Sequence, residues 1–100
     1  MTNSTMSLRD FLRDIYQPLR ALSDRSVHLY SLTIDRVSEF MEREPTLADL
    51  TDVNVSKFLA WRLETPVRGK QVRRTTVKKD RTHLCSMSAL AFRKSMISED

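Results

Sequence analysis

The sequence has 100 residues, 40% of them hydrophobic, and a formal net charge of +4, which suits one domain with a modest core. Cys85 is the single cysteine, so an intrachain disulfide and a cysteine-rich zinc site are excluded. No apolar run approaches the roughly 20 residues of a membrane span, and the polar start MTNSTMS is not a signal peptide. We therefore expect a cytoplasmic protein that needs neither a metal nor another cofactor.

The charge is unevenly distributed along the chain. Residues 1–65 contain eight basic and ten acidic residues, whereas residues 66–97 contain nine basic residues and one acid, Asp80. The stretch RGKQVRRTTVKKDR, from Arg68 to Arg81, is the densest basic part. A concentrated basic footprint is typical of nucleic-acid binding, but it is not specific, because charge runs are often simply solvated.

One glycine and three prolines leave few places to turn, which favours helices over a sheet of short strands. A first helix is predicted from a cap at Ser7, three residues before Asp10. Because Pro18 has no N–H to donate, this helix should end or kink near Gln17. Its apolar stripe recurs at intervals of three and four residues and comprises Leu8, Phe11, Leu12, Ile15, Leu19 and Leu22.

A second helix is predicted to begin after the N-cap residue Ser23 and to stop before Pro45. Helical spacing indicates which of its side chains are buried. This stripe comprises Val27, Tyr30, Ile34, Val37 and Met41, with Phe40 at its edge.

A third helix is predicted from the N-cap Thr51 to about Glu64. Leu50 and Val55 occupy the two positions of a hydrophobic staple at its start. The stripe continues through Phe58, Leu59 and Leu63. Trp61 lies one step off this stripe, which leaves partial burial and an interface both open.

The segment from Thr65 to Arg74 has no apolar rhythm and is predicted to be a flexible basic loop, followed by a fourth helix from Thr75 or Thr76. The predicted inner side of this helix comprises Val77, Leu84, Met87, Ser88 and Ala91. The predicted outer side comprises Lys78, Lys79, Thr82, Ser86, Ala89 and Arg93. The expected fold is an all-α four-helix bundle.

The outer face of the fourth helix has the composition of a DNA-contacting surface. Its middle is small or hydroxylated at Thr82, Ser86 and Ala89, so its backbone can approach another molecule closely. Lysines and arginines at its start can reach phosphates on either side of a major groove. Free N–H groups near Thr75 and Thr76 would add a phosphate contact.

The order of these elements resembles the core-binding domain of phage-integrase-type tyrosine recombinases. LSDRSVHLYSLTIDRVSEFM is similar to the second helix of that domain, with matches at Leu22, Ser23, Tyr30, Ile34, Val37 and Phe40, and with Ser26 where threonine is usual. LADLTDVNVSKFLAWR is similar to its third helix, and RRTTVKKDRTHLCSMSALAFRKSMI to its fourth. The matches in the fourth are Thr76, Val77, Leu84, Ala91, Met96 and Ile97, and Ser95 stands in place of the usual glycine.

The resemblance implies a SAM-like helical bundle that forms one half of a clamp around duplex DNA, in DNA integration and site-specific recombination. It implies a disordered tail over residues 1–6, the core-binding domain over residues 7–97, and a linker from residue 98 to a catalytic domain. The catalytic domain of the same parent chain and other recombinase protomers would be further partners, in a bacterial or phage-encoded protein. The implied DNA-binding residues are Arg25, Arg36, Arg68, Lys70, Arg73, Arg74, Thr75, Lys78, Lys79 and Thr82.

The family's catalytic residues are not found in this sequence, so we expect a non-catalytic chain. The His-x-x-Arg motif is absent after both His28 and His83. Tyr30 belongs to an apolar stripe, and Tyr16 is expected to pack at a helix edge rather than act as a nucleophile. Cys85 has no well-placed partner base, so a structural role is expected.

Two other functions stay open from the residues alone. A helical interaction module would use the basic face to bind an acidic partner. For that function, a contact surface is available at apolar positions outside or at the edge of the stripes, namely Leu29, Leu32, Leu90 and Phe92. A standalone enzyme is less favoured, because no paired carboxylates, metal-ligand spacing or glycine-rich phosphate loop is present.

Overall fold

Four helices form the fold of the part of the chain that the structure describes. The structure is a computed structural model, and it describes residues 5–94. Helix α1 consists of an α-helical segment Leu8–Phe11, a π-helical turn Leu12–Tyr16 and an α-helical segment Gln17–Arg20. Helix α2 spans Asp24–Met41, a short 3-10 helix spans Leu47–Asp49, α3 spans Asp52–Glu64 and α4 spans Arg74–Arg93. The predicted all-α four-helix architecture is confirmed.

Pro18 is accommodated by the π-helical turn of α1. In a regular α-helix a proline ring clashes with the carbonyl group four residues earlier, and the proline donates no hydrogen bond. In the wider turn the Gln17 N–H donates to the carbonyl of Leu12, five residues back, and α1 continues to Arg20. The helix then ends where Ala21 adopts a left-handed conformation, with φ of 50°. The prediction that the regular helix ends or kinks near Gln17 is thus met by a π-helical interruption from Leu12 to Tyr16, and the chain does not leave the helix there.

The π turn also changes which residues of α1 face the core. One extra residue in a turn rotates all later side chains about the helix axis. Leu8 and Phe11, which precede the turn, are buried as predicted, but Leu19 is 54% exposed and leaves the predicted stripe. Tyr16 is buried instead of lying at the helix edge, and Ile15 is half-buried.

Three of the four helices begin at the predicted N-cap residues. The side-chain oxygens of Ser7, Ser23 and Thr51 each accept a hydrogen bond from the N–H of the third helical residue. Such a cap contributes about 1 kcal/mol to helix stability. Helix α2 stops at Met41, because Glu42 takes a left-handed conformation with φ of 57°.

The segment between α2 and α3 holds the start of the chain against the bundle. Thr46 and Asp49 form a reciprocal capping box around the 3-10 helix, which is not predicted from the sequence. The Leu47 N–H donates to the carbonyl of Met6 at 3.0 Å, and the Met6 side chain packs against the core. The prediction that Met6 belongs to a disordered tail is therefore wrong, because Met6 is part of the packed chain. Residues 1–4 lie outside the described residues.

The core lies where the four helices meet. The predicted inner side of α4 is confirmed, with Val77, Leu84, Met87, Ser88 and Ala91 all buried. Between α2 and α3 the rings of Phe40, Phe58 and Trp61 cluster at centroid distances of 5.5 to 6.1 Å. Trp61 is therefore a partly buried packing residue within this bundle.

Several predicted features of α4 need correction or lie beyond the described residues. Cys85, for which a structural role is expected, is exposed, so it adds nothing to the core. Leu90 is buried, whereas Phe92 is exposed. The predicted domain end at residue 97 and the linker from residue 98 lie outside the described residues.

Candidate nucleic-acid interface

The outer face of α4 forms a ridge between two open grooves. Thr75, Lys78 and Thr82 are exposed on this ridge. On one side α4 and α2 enclose a groove of about 270 Å³, which we call the α2–α4 groove, and Lys79 lines it. On the other side α4 and α3 enclose a groove of about 860 Å³, which Arg81 lines. Of the predicted outer face, Lys78, Lys79, Thr82 and Arg93 are exposed, whereas Ser86 and Ala89 are half-buried, and the Ser86 side chain hydrogen-bonds to Tyr30 of α2.

The basic residues of this surface have no ionic partners within residues 5–94. All seven lysines and arginines between positions 68 and 81 are exposed, and none makes an ion pair there. The ion pairs of the described chain instead use Arg9, Arg13, Arg36, Arg43 and Arg62. A cation without a nearby carboxylate keeps its full attraction for an external anion. This surface is therefore charged and uncompensated.

Asp80, the one acid among residues 66–97, does not offset this surface charge. It is 5% exposed and lies on the inner side of α4. One carboxylate oxygen accepts a hydrogen bond from Arg62 Nε at 3.0 Å, and the other accepts from Thr33 Oγ1 at 2.9 Å. The Asp80 carboxylate is therefore neutralised inside the protein, and its two hydrogen bonds connect α4 to α3 and α2.

The start of α4 differs from the starts of the other helices. It begins at Arg74, one residue before the predicted start, and its N-cap residue Arg73 makes no side-chain capping bond. Its first turn contains no acidic residue. Cations at a helix N-terminus face the positive end of the helix dipole, which costs about 0.3 to 1 kcal/mol each. The Thr76 N–H, predicted to be free, instead donates to the carbonyl of Arg73 at 3.0 Å, so the attraction for an anion at this helix start comes from the cations.

Arg73→Asp should therefore stabilise the protein and weaken the binding of a phosphate group at the start of α4. Aspartate is a strong N-cap and should raise the free energy of unfolding by about 1 kcal/mol. Losing one cation next to a phosphate should weaken binding roughly tenfold near 0.1 M salt. Urea denaturation and fluorescence anisotropy measure the two effects. If both quantities fall together, the loss of binding is a folding defect.

The basic segment before α4 contains a tight turn. Val67 and Lys70 exchange two backbone hydrogen bonds of 2.9 Å, and Arg68 and Gly69 between them have φ of 53° and 75°. The Gln71 side chain donates to the carbonyl of Leu63 at 2.6 Å, which ties the segment to the end of α3. The predicted loop is thus a turn with Arg68 at its tip.

Of the two predicted α2 contacts, only Arg36 lies close to the basic face of α4. Arg36 lines the α2–α4 groove together with Lys79, and it pairs with Glu39 at 2.9 Å. Arg25 is exposed in the first turn of α2 and is not part of the groove lining. The fold therefore brings Arg36 and Lys79 together across two helices and leaves Arg25 apart.

A buried polar network, not predicted from the sequence, supports the α2–α4 groove. Thr33 Oγ1 lies 2.8 Å from His83 Nδ1. Its single hydroxyl proton is donated to Asp80, so Nδ1 carries the proton of the imidazole. Burial lowers the pKa of His83 below its ordinary value, although the Asp80 carboxylate opposes that shift. A neutral His83 is therefore the favoured form at the base of the groove.

The two tyrosines extend this network into the core. The ring of Tyr30 stacks on His83 with centroids 4.0 Å apart, and its hydroxyl lies 3.0 Å from that of Tyr16. Burial and this hydrogen bond raise the pKa of Tyr30 to about 12. The Tyr30 phenol therefore keeps its proton at neutral pH, and both tyrosine side chains pack in the core with their hydroxyls hydrogen-bonded to each other.

The groove also contains residues whose role was not seen from the sequence. Arg62 and His83 carry no local pattern that reveals their burial, because their partners lie 18 and 50 residues away. Leu29 and Leu32, predicted to lie outside or at the edge of the buried stripe of α2, both line the groove. That they are apolar and do not belong to the stripe is the indication that the sequence offers.

Other kinds of site are not apparent in residues 5–94. None of the helices formed by these residues is both long and apolar enough to span a membrane. Within the same residues, no three side chains of histidine, cysteine, aspartate or glutamate are grouped to hold a metal ion.

Three comparisons with known proteins were made, and none of them found a relative. No protein-family model matches the sequence, and neither a curated protein nor a solved structure matches it significantly.

Proposed function

We propose that this chain binds duplex DNA as the core-binding half of a tyrosine-recombinase clamp. In this proposal it acts in DNA integration and site-specific recombination in a bacterial or phage system, in the cytoplasm. Strand cleavage and joining would be carried out by a separate catalytic domain. The chain itself supplies affinity and orientation on the DNA.

The observation that carries the proposal is the uncompensated positive charge of α4 and of the turn that precedes it. Seven exposed cations lie between positions 68 and 81 without an ion pair in the described chain, and the one acid among them is buried against Arg62. DNA presents a regular row of phosphates, and neutralising them releases condensed counterions. A rigid helix with small and hydroxylated residues between its cations matches that target better than a flexible charge run does.

A purely solvated charge run explains this arrangement less well. Solvation alone would not place cations at the N-cap and first helical positions of α4, where they oppose the helix dipole. It also would not require that Asp80 be withdrawn from the surface. The cations at the start of α4 lower the stability of the helix, and the burial of Asp80 leaves the surface with an excess of positive charge. Both features strengthen the attraction for an anionic partner.

Binding to duplex DNA at varied salt tests the proposal. If about five cations contact phosphates, the logarithm of the association constant should fall with the logarithm of the salt concentration at a slope near −4.5. Fluorescence anisotropy with labelled duplexes gives this slope directly. Polyglutamate of equal charge serves as the competitor, because an acidic protein partner would resemble it.

Two results would contradict DNA binding. One is an association constant that does not change with salt, since phosphate contacts always release counterions. The other is displacement by polyglutamate as effective as displacement by unlabelled duplex, which would favour the acidic-partner function.

A further inference from the structure

An apolar pair lies within the cationic α2–α4 groove. Arg25, Leu29, Leu32 and Arg36 follow one another at intervals of four, three and four residues, so they share one face of α2. Leu29 is half-buried in the groove wall, whereas Leu32 is 42% exposed. Lys79 of α4 lines the same groove from the other side. An exposed leucine thus stands among cations.

Phosphate binding does not account for this leucine. A phosphate oxygen gains nothing from an isobutyl side chain, and an exposed leucine leaves apolar surface in water. A partner that presents both phosphates and an apolar group would explain the position.

The major groove of DNA presents that combination. The 5-methyl group of thymine is its principal apolar group, and small apolar side chains contact it in direct readout. Lys79, which makes no ion pair in the described chain, would bind a phosphate that borders the major groove, and Arg36 would bind another by exchanging its Glu39 partner for it. Leu29 lines the same groove and lies on the same helix face as Leu32.

We propose that Leu32 contacts thymine 5-methyl groups and so gives this surface a preference for the bases it covers. This inference rests on the proposed DNA binding and adds to it the first contact that distinguishes one base pair from another. The phosphate contacts hold helix α2 in place, and Leu32 contacts the base edges at the floor of the DNA major groove.

A membrane surface also presents phosphates beside apolar groups, but it fits these residues less well. Insertion into a bilayer interface requires a continuous apolar helix face. Here Leu32 is bordered by Arg36 on its own face, and the other large exposed apolar side chains of the described chain lie elsewhere. These are Leu19, Val53, Val67 and Phe92. DNA is therefore the favoured partner.

Duplex pools of random sequence test this contact. One pool is amplified with thymidine and the other with deoxyuridine, which lacks the 5-methyl group, and the two carry different fluorophores. Under limiting protein the tightest duplexes dominate the bound fraction. We expect the thymine pool to be favoured by about fourfold for each methyl group contacted, the factor that burial of one CH2-sized group provides.

The matched variants are Leu32→Ala and Leu19→Ala. Both remove the same atoms from an exposed leucine, but Leu19 lies on α1, outside the α2–α4 groove. We expect Leu32→Ala to abolish the preference for thymine while its affinity for the uracil pool and its salt slope stay unchanged. Leu19→Ala should keep the preference.

Each other result overturns a specific statement. Binding of both pools with a normal salt slope and no preference overturns the methyl contact but leaves DNA binding intact. A preference that survives in Leu32→Ala means that another residue reads the methyl group, and overturns the role of Leu32. Absence of binding to either pool overturns the proposed function as well. Binding to anionic phospholipid vesicles that Leu32→Ala abolishes, without DNA binding, overturns the choice of DNA over a membrane.

Discussion

Changing Lys78 and Lys79 to glutamate is expected to weaken binding of duplex DNA by roughly a hundredfold near 0.1 M salt. Each lost phosphate contact removes about 0.9 from the slope of the salt dependence, so the slope should fall from near −4.5 to about −2.7. The carboxylates of the two new glutamates would also repel the DNA phosphates. Lys78 lies on the ridge of α4 and Lys79 in the α2–α4 groove, so the variant affects both parts of the proposed surface.

The control for this prediction is an exposed lysine on another helix. Lys57 is exposed on α3, and Lys57→Glu changes the net charge by the same amount as Lys79→Glu. We expect Lys79→Glu to weaken binding by several-fold more than Lys57→Glu, with equal helical content by circular dichroism. Equal effects of the two would mean that net charge alone governs binding, which contradicts a defined interface.

Asp80→Ala is expected to lower the free energy of unfolding by about 3 to 5 kcal/mol. The side chains of Arg62 and Asp80 are only 11% and 7% exposed, so the substitution leaves a nearly buried guanidinium without its partner. It also removes the acceptor of the Thr33 hydroxyl. A small domain has a total stability of about 5 to 15 kcal/mol, so urea denaturation should show a large shift of the midpoint.

An exposed aspartate provides the comparison. Asp35 pairs with Arg9 at 2.7 Å, and both side chains are 41% exposed. Asp35→Ala should cost less than about 1 kcal/mol, because solvent screens that pair. The double variant Arg62→Met with Asp80→Leu should recover much of the lost stability, since well-packed apolar residues often replace a buried pair. Equal losses for Asp80→Ala and Asp35→Ala would contradict a structural role for the buried pair.

The capped helix starts could be predicted because the interactions that set them are local. A serine or threonine oxygen at Ser7, Ser23 or Thr51 reaches an N–H three residues away, so the sequence contains both partners. The path of α1 after Leu12 could not be predicted in the same way. A proline allows a helix to end, kink or widen, and here the widened turn brings Tyr16 to its hydrogen bond with Tyr30 of α2.

The candidate site also has one part that local sequence patterns predict and one part that depends on tertiary packing. The basic segment and the outward phase of Lys78, Lys79 and Thr82 were evident from the sequence, because helical periodicity assigns inner and outer faces. The groove that joins Arg36 to Lys79 was not evident, because it depends on the packing of α2 against α4.

The sequence by itself determined four amphipathic helices and a strong segregation of positive charge into the last third of the chain. Only the tertiary structure decided that this charge stands uncompensated. Asp80 is buried against Arg62 and Thr33, which lie 18 and 47 residues earlier, and no local pattern encodes contacts across such distances. The same packing left Leu32 exposed, because each helix buries only one of its faces. The way α2 crosses α4 places Arg36 and Lys79 beside the exposed face that carries Leu32.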